Sequence, residues 1–271
     1  MSTGCDRGLI DVGDRIPILL YHSLTVDARP SYRPYAVDPG LFRAQMECIA
    51  ETGLTTSTVS DLLAWQTADR RMVAITFDDG FRDVIDVALP ILQQNGLTAT
   101  VYIVTGLVGQ TSRWLDRDGE GQRPLMSWAE IRNLAEAGVE IGAHSHHHLP
   151  LDLLPRSKAA DQIARSRRTL EDALGFAVKS FAYPYGFHTM ETKQLVAREG
   201  FSSACSVRNA FSHRFHDPYA LARIIVASGT PMNMFRDWID GRGSLPTSWP
   251  GELFRTRVWR TVRRVRSVVG A

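Results

Sequence analysis

A parallel α/β protein is what the sequence predicts, and three observations carry the prediction. Short apolar, β-branched runs recur along most of the chain, about seven in all, and most are followed by a stretch whose apolar residues fall at helical spacing. Ile16-Pro17-Ile18-Leu19-Leu20-Tyr21 is apolar throughout, as in a strand covered on both faces. Several runs end abruptly in polar residues: this one at His22, Val73-Ala74-Ile75-Thr76-Phe77 at Asp78-Asp79, and Val139-Glu140-Ile141-Gly142-Ala143 at His144. At the carboxyl end of a parallel strand, such residues face the loops where sites are built.

Residues 1–15 form a polar leader without periodicity, and 16–240 is the simplest single domain. After the first strand, Pro30, Pro34 and Pro39 mark a loop long enough to cover part of a site. Phe42, Met46, Ile49 and Ala50 trace a helix ending before Gly53, and a short helix is expected from an N-cap at Ser60 through Leu62, Leu63 and Trp65. Val84, Val87, Ala88, Ile91 and Leu92 give a helix stopped by Gly96, and residues 98–104 the next strand. Residues 106–124, rich in Gly, Asp, Arg and Gln, read as a long loop over one face. Ser127 caps a helix containing Ile131, Leu134 and Ala135, with Glu130 completing a capping box, and Gly138 ends it. A long helix over 156–174, strands over 179–182, 202–207 and 223–227, and a helix over 191–198 complete the alternation. Periodicity does not tell whether the sheet closes into a barrel.

Composition excludes several classes. With 44% hydrophobic and 22% charged residues the chain has the make-up of a globular protein with a sizeable core. No signal-peptide pattern and no apolar stretch of bilayer length occurs, so a cytoplasmic protein is expected. Cys5, Cys48 and Cys205 are scattered, which fits neither a disulfide framework nor a paired-cysteine zinc site. Net charge is +2 and no nucleic-acid partner is expected, but the charge is uneven. Residues 252–271 carry Arg255, Arg257, Arg260, Arg263, Arg264 and Arg266 against Glu252, a balance of +5 that leaves −3 for the rest. There Phe254, Val258, Val262, Val265 and Val269 trace an apolar stripe, so 241–271 reads as a linker and a basic amphipathic helix. Two readings stay open: attachment to an anionic membrane surface, peripheral at the inner face, or docking on the domain with a solvated basic side.

Chemistry concentrates at two strand ends. Adjacent carboxylates are costly to hold together unless a cation or a proton separates their roles, so one of Asp78 and Asp79 can bind a metal while the other serves as base. An ordinary turn and helix N-cap is the bland alternative. His144-Ser145-His146-His147-His148 places four of the chain's eight histidines in five positions. His144 and His148 are four apart, so a tight turn at Ser145 lets both face one point while His146 and His147 point elsewhere. Asp79, His144 and His148 together supply one oxygen and two nitrogens with coordination positions left open, a catalytic type of metal site.

With these residues in view, the chain resembles the NodB-homology polysaccharide deacetylases of carbohydrate esterase family 4. Thr76-Phe77-Asp78-Asp79-Gly80 matches the first motif of that family, His144-Ser145-His146-His147-His148 the second, and Phe181-Ala182-Tyr183-Pro184-Tyr185-Gly186 a variant of the third. The resemblance runs from about Ile16 to Ala227. The run from Pro17 to His22 and residues 42–63 look like the subgroup that deacetylates exopolysaccharides. The resemblance implies a distorted (β/α)7 barrel and a carbohydrate substrate bearing acetyl groups. It makes Asp79, His144 and His148 ligands of a divalent metal, Zn2+ in most of the family, and Asp78 the general base. It also implies that the backbone N–H of Tyr185 holds the oxyanion.

The sequence departs from the family at three places. Ala182 stands where many members carry an arginine that orients the base, and Arg223 is the substitute this sequence offers. Asp237-Trp238 comes too late to be the usual Asp-Trp motif. No histidine follows His216, so the late Leu-x-His motif that supplies the general acid is missing, and His22 is the acid expected instead, with a structural histidine as its alternative. His188, His213 and His216 read as solvated loop residues; Trp114 is the best of Trp65, Trp114 and Trp128 for stacking on a sugar, and Trp65 reads as core. The expected activity is metal-dependent removal of acetyl groups from N-acetylated polysaccharide, oligosaccharide or lipid-linked sugars. A sugar O-acetyl esterase and a catalytically weak carbohydrate-binding barrel are the alternatives.

Overall fold

The apolar runs become seven short parallel strands: β1 (Ile18–Tyr21), β2 (Met72–Phe77), β3 (Thr100–Ile103), β4 (Glu140–Ala143), β5 (Ser180–Ala182), β6 (Ser203–Cys205) and β7 (Ile224–Ile225). The computed structural model describes residues 15–64, 71–213, 216–243 and 245. The strands lie in the order β6-β5-β4-β3-β2-β1-β7, every neighbouring pair parallel. The two edges then meet. Leu221, three residues before β7, donates its N–H to Ala204 O at 2.9 Å and accepts from Ser206 N–H at 2.8 Å, a parallel bridge to β6. The sheet is therefore a distorted seven-stranded (β/α) barrel, its closure supplied by one bridge too short for sequence periodicity to register.

Side chains alternate along the strands with period two. Leu19 and Tyr21, Ile75 and Phe77, Val101 and Ile103, and Ile141 and Ala143 join the large cluster shared with the helices. Ile18, Ala74, Tyr102, Ala182 and Cys205 form a smaller separate cluster, and the intervening positions are polar or small: Thr76, Thr100, Ser180 and Ser203. Gly142 is one of these, because a Cβ there would lie 2.5 Å from the Tyr102 ring. The helices are α1 (Pro39–Glu51), α2 (Val59–Ala64), α3 (Leu89–Gln94), α4 (Trp128–Glu136), α5 (Arg156–Leu174), α6 (Met190–Arg198) and α7 (Met232–Ile239). The box expected at Ser127 is present: Ser127 N–H donates to Glu130 Oε2 at 2.7 Å and Glu130 N–H to Ser127 Oγ at 3.3 Å.

Three local expectations are corrected. The first run breaks at Pro17, which has no N–H for a ladder; Arg15–Ile16 pairs antiparallel with Ser212–His213, and only Ile18–Tyr21 enters the barrel. The cap of α2 is Thr58, whose Oγ1 accepts from Asp61 N–H at 3.1 Å, while Ser60 Oγ bonds the Glu140 carboxylate instead. The helix over 84–94 opens as a π-turn (Val84–Ala88) before α3, a wider path that accommodates Pro90, which cannot donate. Cys48 and Cys205 are buried free thiols. Among the described residues no helix is long and apolar enough to cross a membrane. Cys5, the leader through Asp14, Trp65 and the expected helix with its six arginines lie outside the described residues.

Candidate active site

Both acidic residues hang from the end of β2. Asp78 N–H still donates to Tyr21 O of β1 at 3.1 Å, and then the chain reverses: Asp79 and Gly80 both have positive φ, 75° and 76°. Gly80 meets that demand without strain; Asp79 does not, which is the kind of backbone outlier that collects at functional sites. The reversal leaves the carboxylates 3% and 4% exposed at the barrel mouth. A solvated turn or helix cap is thereby excluded, since the helical turn begins only at Val84 and neither carboxylate caps it.

The histidines come from the end of β4 through an equally tight turn. Ser145 and His148 have φ of 61° and 56°, and Ser145 Oγ accepts from His148 N–H at 3.0 Å. His144 Nε2 and His148 Nε2 then lie 3.5 and 3.2 Å from Asp79 Oδ1. The other two point away as the spacing required: His146 Nδ1 pairs with Thr105 Oγ1 at 2.8 Å, and His147 Nδ1 with Gln162 Nε2 at 3.1 Å.

These residues fit a divalent cation. Ligand atoms of Asp79, His144 and His148 all lie within 4.8 Å of one another, and all three residues are buried. Among the described residues no group donates a hydrogen bond to Asp79 Oδ1. His144 spends Nδ1 on Ala182 O at 2.8 Å, which directs the lone pair of Nε2 toward Asp79, the arrangement in which a ligating imidazole is oriented by its other nitrogen. Burial lowers the His144 pKa to about 4, so at neutral pH it brings no positive charge to Asp79. The cluster thus offers a buried anion and two nitrogen donors, a mixed donor set that suits a divalent metal.

Asp78 has a different partner. Arg223 Nη1 and Nη2 donate to its two oxygens, each at 2.7 Å, in a bidentate pair with the guanidinium fully buried. Arg223 is fixed in turn by Ser206 O at 3.1 Å and Thr76 Oγ1 at 3.3 Å. Burial by itself pushes the Asp78 carboxyl up, but Arg223 and then His144 outweigh it and hold the group well below the usual carboxylate range.

A cleft of about 450 Å³ opens over these groups, lined also by His22, Trp114 and Tyr185. His22 follows β1 directly, is half-buried, and its pKa is lowered, mainly by burial against the opposing pull of Asp79 and Asp78. Tyr185, φ 61°, stands 47% exposed in the Tyr183–Gly186 turn with its ring 4.6 Å from the His148 ring. That turn closes tightly: Gly186 N–H donates to Tyr183 O at 2.8 Å, and a Cβ on Gly186 would lie 2.4 Å from Val207 Cβ. Trp114 covers the other side of His148 at 4.7 Å.

Trp238 is buried in α7 and Trp128 is half-buried against the core; neither lines the cleft, nor do His188, His213 and His216. His188 is half-buried and stacks on Tyr183 at 5.0 Å, so it is not a solvated loop residue. Sequence reasoning missed Tyr32, Tyr35 and Asp118 in the cleft wall. Two tyrosines inside a proline-marked loop were the signal available for the first two.

Residues 66–204 match the polysaccharide deacetylase family. The Bacillus subtilis (strain 168) protein YxkH is 24% identical over 230 residues, 83% of this chain and 76% of that protein. A Staphylococcus aureus (strain MSSA476) poly-beta-1,6-N-acetyl-D-glucosamine N-deacetylase is 22% identical over 216 residues, 75% and 72%. Among solved structures, IcaB from Ammonifex degensii superposes with a TM-score of 0.74 at 24% identity, over 84% of this chain and 98% of that one. The Streptococcus pyogenes deacetylase PplD, in complex with acetate, gives 0.69 at 23%, over 81% and 96%. Half the chain carries the family match, two of its strand ends carry the acidic and histidine motifs, and the barrel is shared: this chain is a hydrolase that belongs to the polysaccharide deacetylase family.

Proposed function

We propose that this enzyme removes acetyl groups from N-acetylated sugars, with a divalent metal, zinc by its donor set, held by Asp79, His144 and His148. The observation that carries the reading is the division of labour between adjacent carboxylates: Asp79 Oδ1 faces two imidazoles, while Asp78 is kept ionised by Arg223. When bound, the cation supplies Lewis acidity toward the acetyl carbonyl and acidifies the attacking water. Asp78 takes the proton from that water, and Arg223, clamped to both of its oxygens, sets its orientation. The Tyr185 N–H is assigned as donor to the developing oxyanion, supported by the place of its turn on the cleft wall. His22, across the cleft, returns a proton to the leaving amine. The N-acetylglucosamine polymer named for the Staphylococcus aureus relative supports an amino-sugar substrate.

One observation favours O-deacetylation as a second reading: burial lowers the His22 pKa, so imidazolium is scarce at neutral pH, and a sugar alkoxide leaves with less help than an amine. A carbohydrate binder without turnover has no use for the buried Arg223–Asp78 pair. Acetate release from N-acetylhexosamine oligomers and from O-acetylated sugars tests both. Chelation is expected to abolish release and Asp78→Asn to lower it by a factor on the order of 100 to 10,000. Release that survives both treatments rules the mechanism out.

A further inference from the structure

We propose that Tyr32 is a specificity-determining residue of this site: its hydroxyl donates a hydrogen bond to a neutral oxygen of the sugar that carries the acetyl group. The inference rests on the reading of the cleft as a sugar deacetylase site. Tyr32 lines that cleft beside Asp79, is 4% exposed, and its Oη has no hydrogen-bond partner among the described residues. Phenylalanine would fill the same space without burying an unpaired donor, a group that folded proteins nearly always satisfy. The unmet bond is therefore the mark of a ligand.

The ring is held so that the hydroxyl cannot turn away to find another partner. It packs on Phe81 at 6.3 Å and Tyr35 at 5.7 Å, and the Arg123 guanidinium lies over its face at 5.1 Å. Its N–H donates to Arg29 O at 3.0 Å, and its carbonyl accepts from Tyr35 N–H at 2.9 Å. The same loop is tied to the facing loop just before Tyr32. Arg29 Nε donates to Gly119 O at 3.1 Å, Ser31 Oγ to Asp118 O at 3.0 Å, and Arg123 Nη2 to Asp27 O at 2.7 Å. A donor fixed before substrate arrives contributes to affinity because little freedom remains to be lost.

The chemistry of the acceptor follows from the donor. A tyrosine phenol is protonated at neutral pH, so Tyr32 acts as a donor. Such a donor serves a hydroxyl, ring or glycosidic oxygen of the sugar.

Tyr32→Phe deletes only the hydroxyl. Full-length protein, chelated to prevent turnover, is titrated calorimetrically with a β-1,6-linked N-acetylglucosamine tetramer, and melting temperatures are recorded alongside. The expected result is binding about tenfold weaker in Tyr32→Phe with a melting temperature unchanged or higher. Equal binding by the two proteins, or no binding by either, overturns the proposal; so does a lower melting temperature, which would mean that the hydroxyl has a partner within the fold. Acetate release by the metal-loaded wild type is read separately. Its absence with a Tyr32 effect on binding would sink the deacetylase reading alone, and its presence without such an effect would sink only the role of Tyr32.

Discussion

The Asp78–Arg223 pair decides whether the proposed base is ionised. Burial opposes the ionised form of Asp78, and the guanidinium reverses that balance, so its folded pKa lies below the ordinary 3.8. The pair therefore contributes stability at pH above 3.8 that is lost as pH falls toward the folded value. Arg223→Met removes the reversal and leaves burial in charge. Its expected outcome is a loss on the order of 3 to 5 kcal/mol in denaturant unfolding at pH 7, because a buried carboxylate is left unpaired. In the same variant the acetate-release rate should fall as pH drops through a midpoint above 3.8, a limb the wild type lacks there; a pH–rate profile like that of wild type would remove Arg223 from the role of orienting the base. Only half of this was legible in the sequence. Asp78 and Asp79 announced themselves by ending an apolar run, whereas Arg223 stood out only because Ala182 occupies the family's arginine position. Their contact spans 145 residues of chain, a separation at which no local pattern operates.

At the scale of elements, the site depends on turns that leave the strands at unusual angles, and the exit from β1 is pinned by Asp83. Asp83 Oδ2 accepts from Ser23 Oγ at 2.5 Å and Leu24 N–H at 2.9 Å, immediately after His22, while Oδ1 has no partner among the described residues. Burial dominates and raises its pKa to about 6, with the bonds from Ser23 and Leu24 pulling the other way. A folded pKa above the unfolded 3.8 means that the protonated form is favoured in the fold. Its contribution is fully present below pH 3.8 and is lost as pH rises through about 6. Asp83→Asn keeps an acceptor for Ser23 and Leu24 and carries no charge. It is expected to unfold at higher denaturant at pH 7.5, by on the order of 2 kcal/mol, with the advantage vanishing below pH 4. A constant difference across that range would show that charge burial at Asp83 is not the cause. Elements of this kind explain where sequence reading slipped. Helix α5 was legible to the residue because a nineteen-residue periodic stretch averages over local detail. The cap at Thr58, the break at Pro17 and the π-turn before Pro90 are decisions of one or two residues, settled by which neighbour, such as Glu140, is within reach.

For the whole molecule, parallel alternation was readable from seven apolar runs, but closure was not, because it rests on the single bridge of Leu221 to β6. That bridge also brings the segment carrying Arg223 beside β1 and β6, so the closure of the barrel and the pairing of Arg223 with Asp78 depend on the same segment. Charge is the other property of the whole chain. The body balances at −3 and residues 252–271 at +5, with six arginines around an apolar stripe in the sequence. We propose that this tail attaches the enzyme to an anionic membrane face and brings the cleft to lipid-linked or membrane-assembled sugars. Each arginine near such a surface would contribute on the order of 1 kcal/mol, and salt would weaken the attachment by screening. The full chain is then expected to co-sediment with phosphatidylglycerol vesicles at low ionic strength and to be released as salt rises. A form ending at Trp249 should stay in the supernatant and keep its acetate release from soluble oligomers. Equal sedimentation of the two forms would remove the attachment and leave the tail as a solvated basic segment.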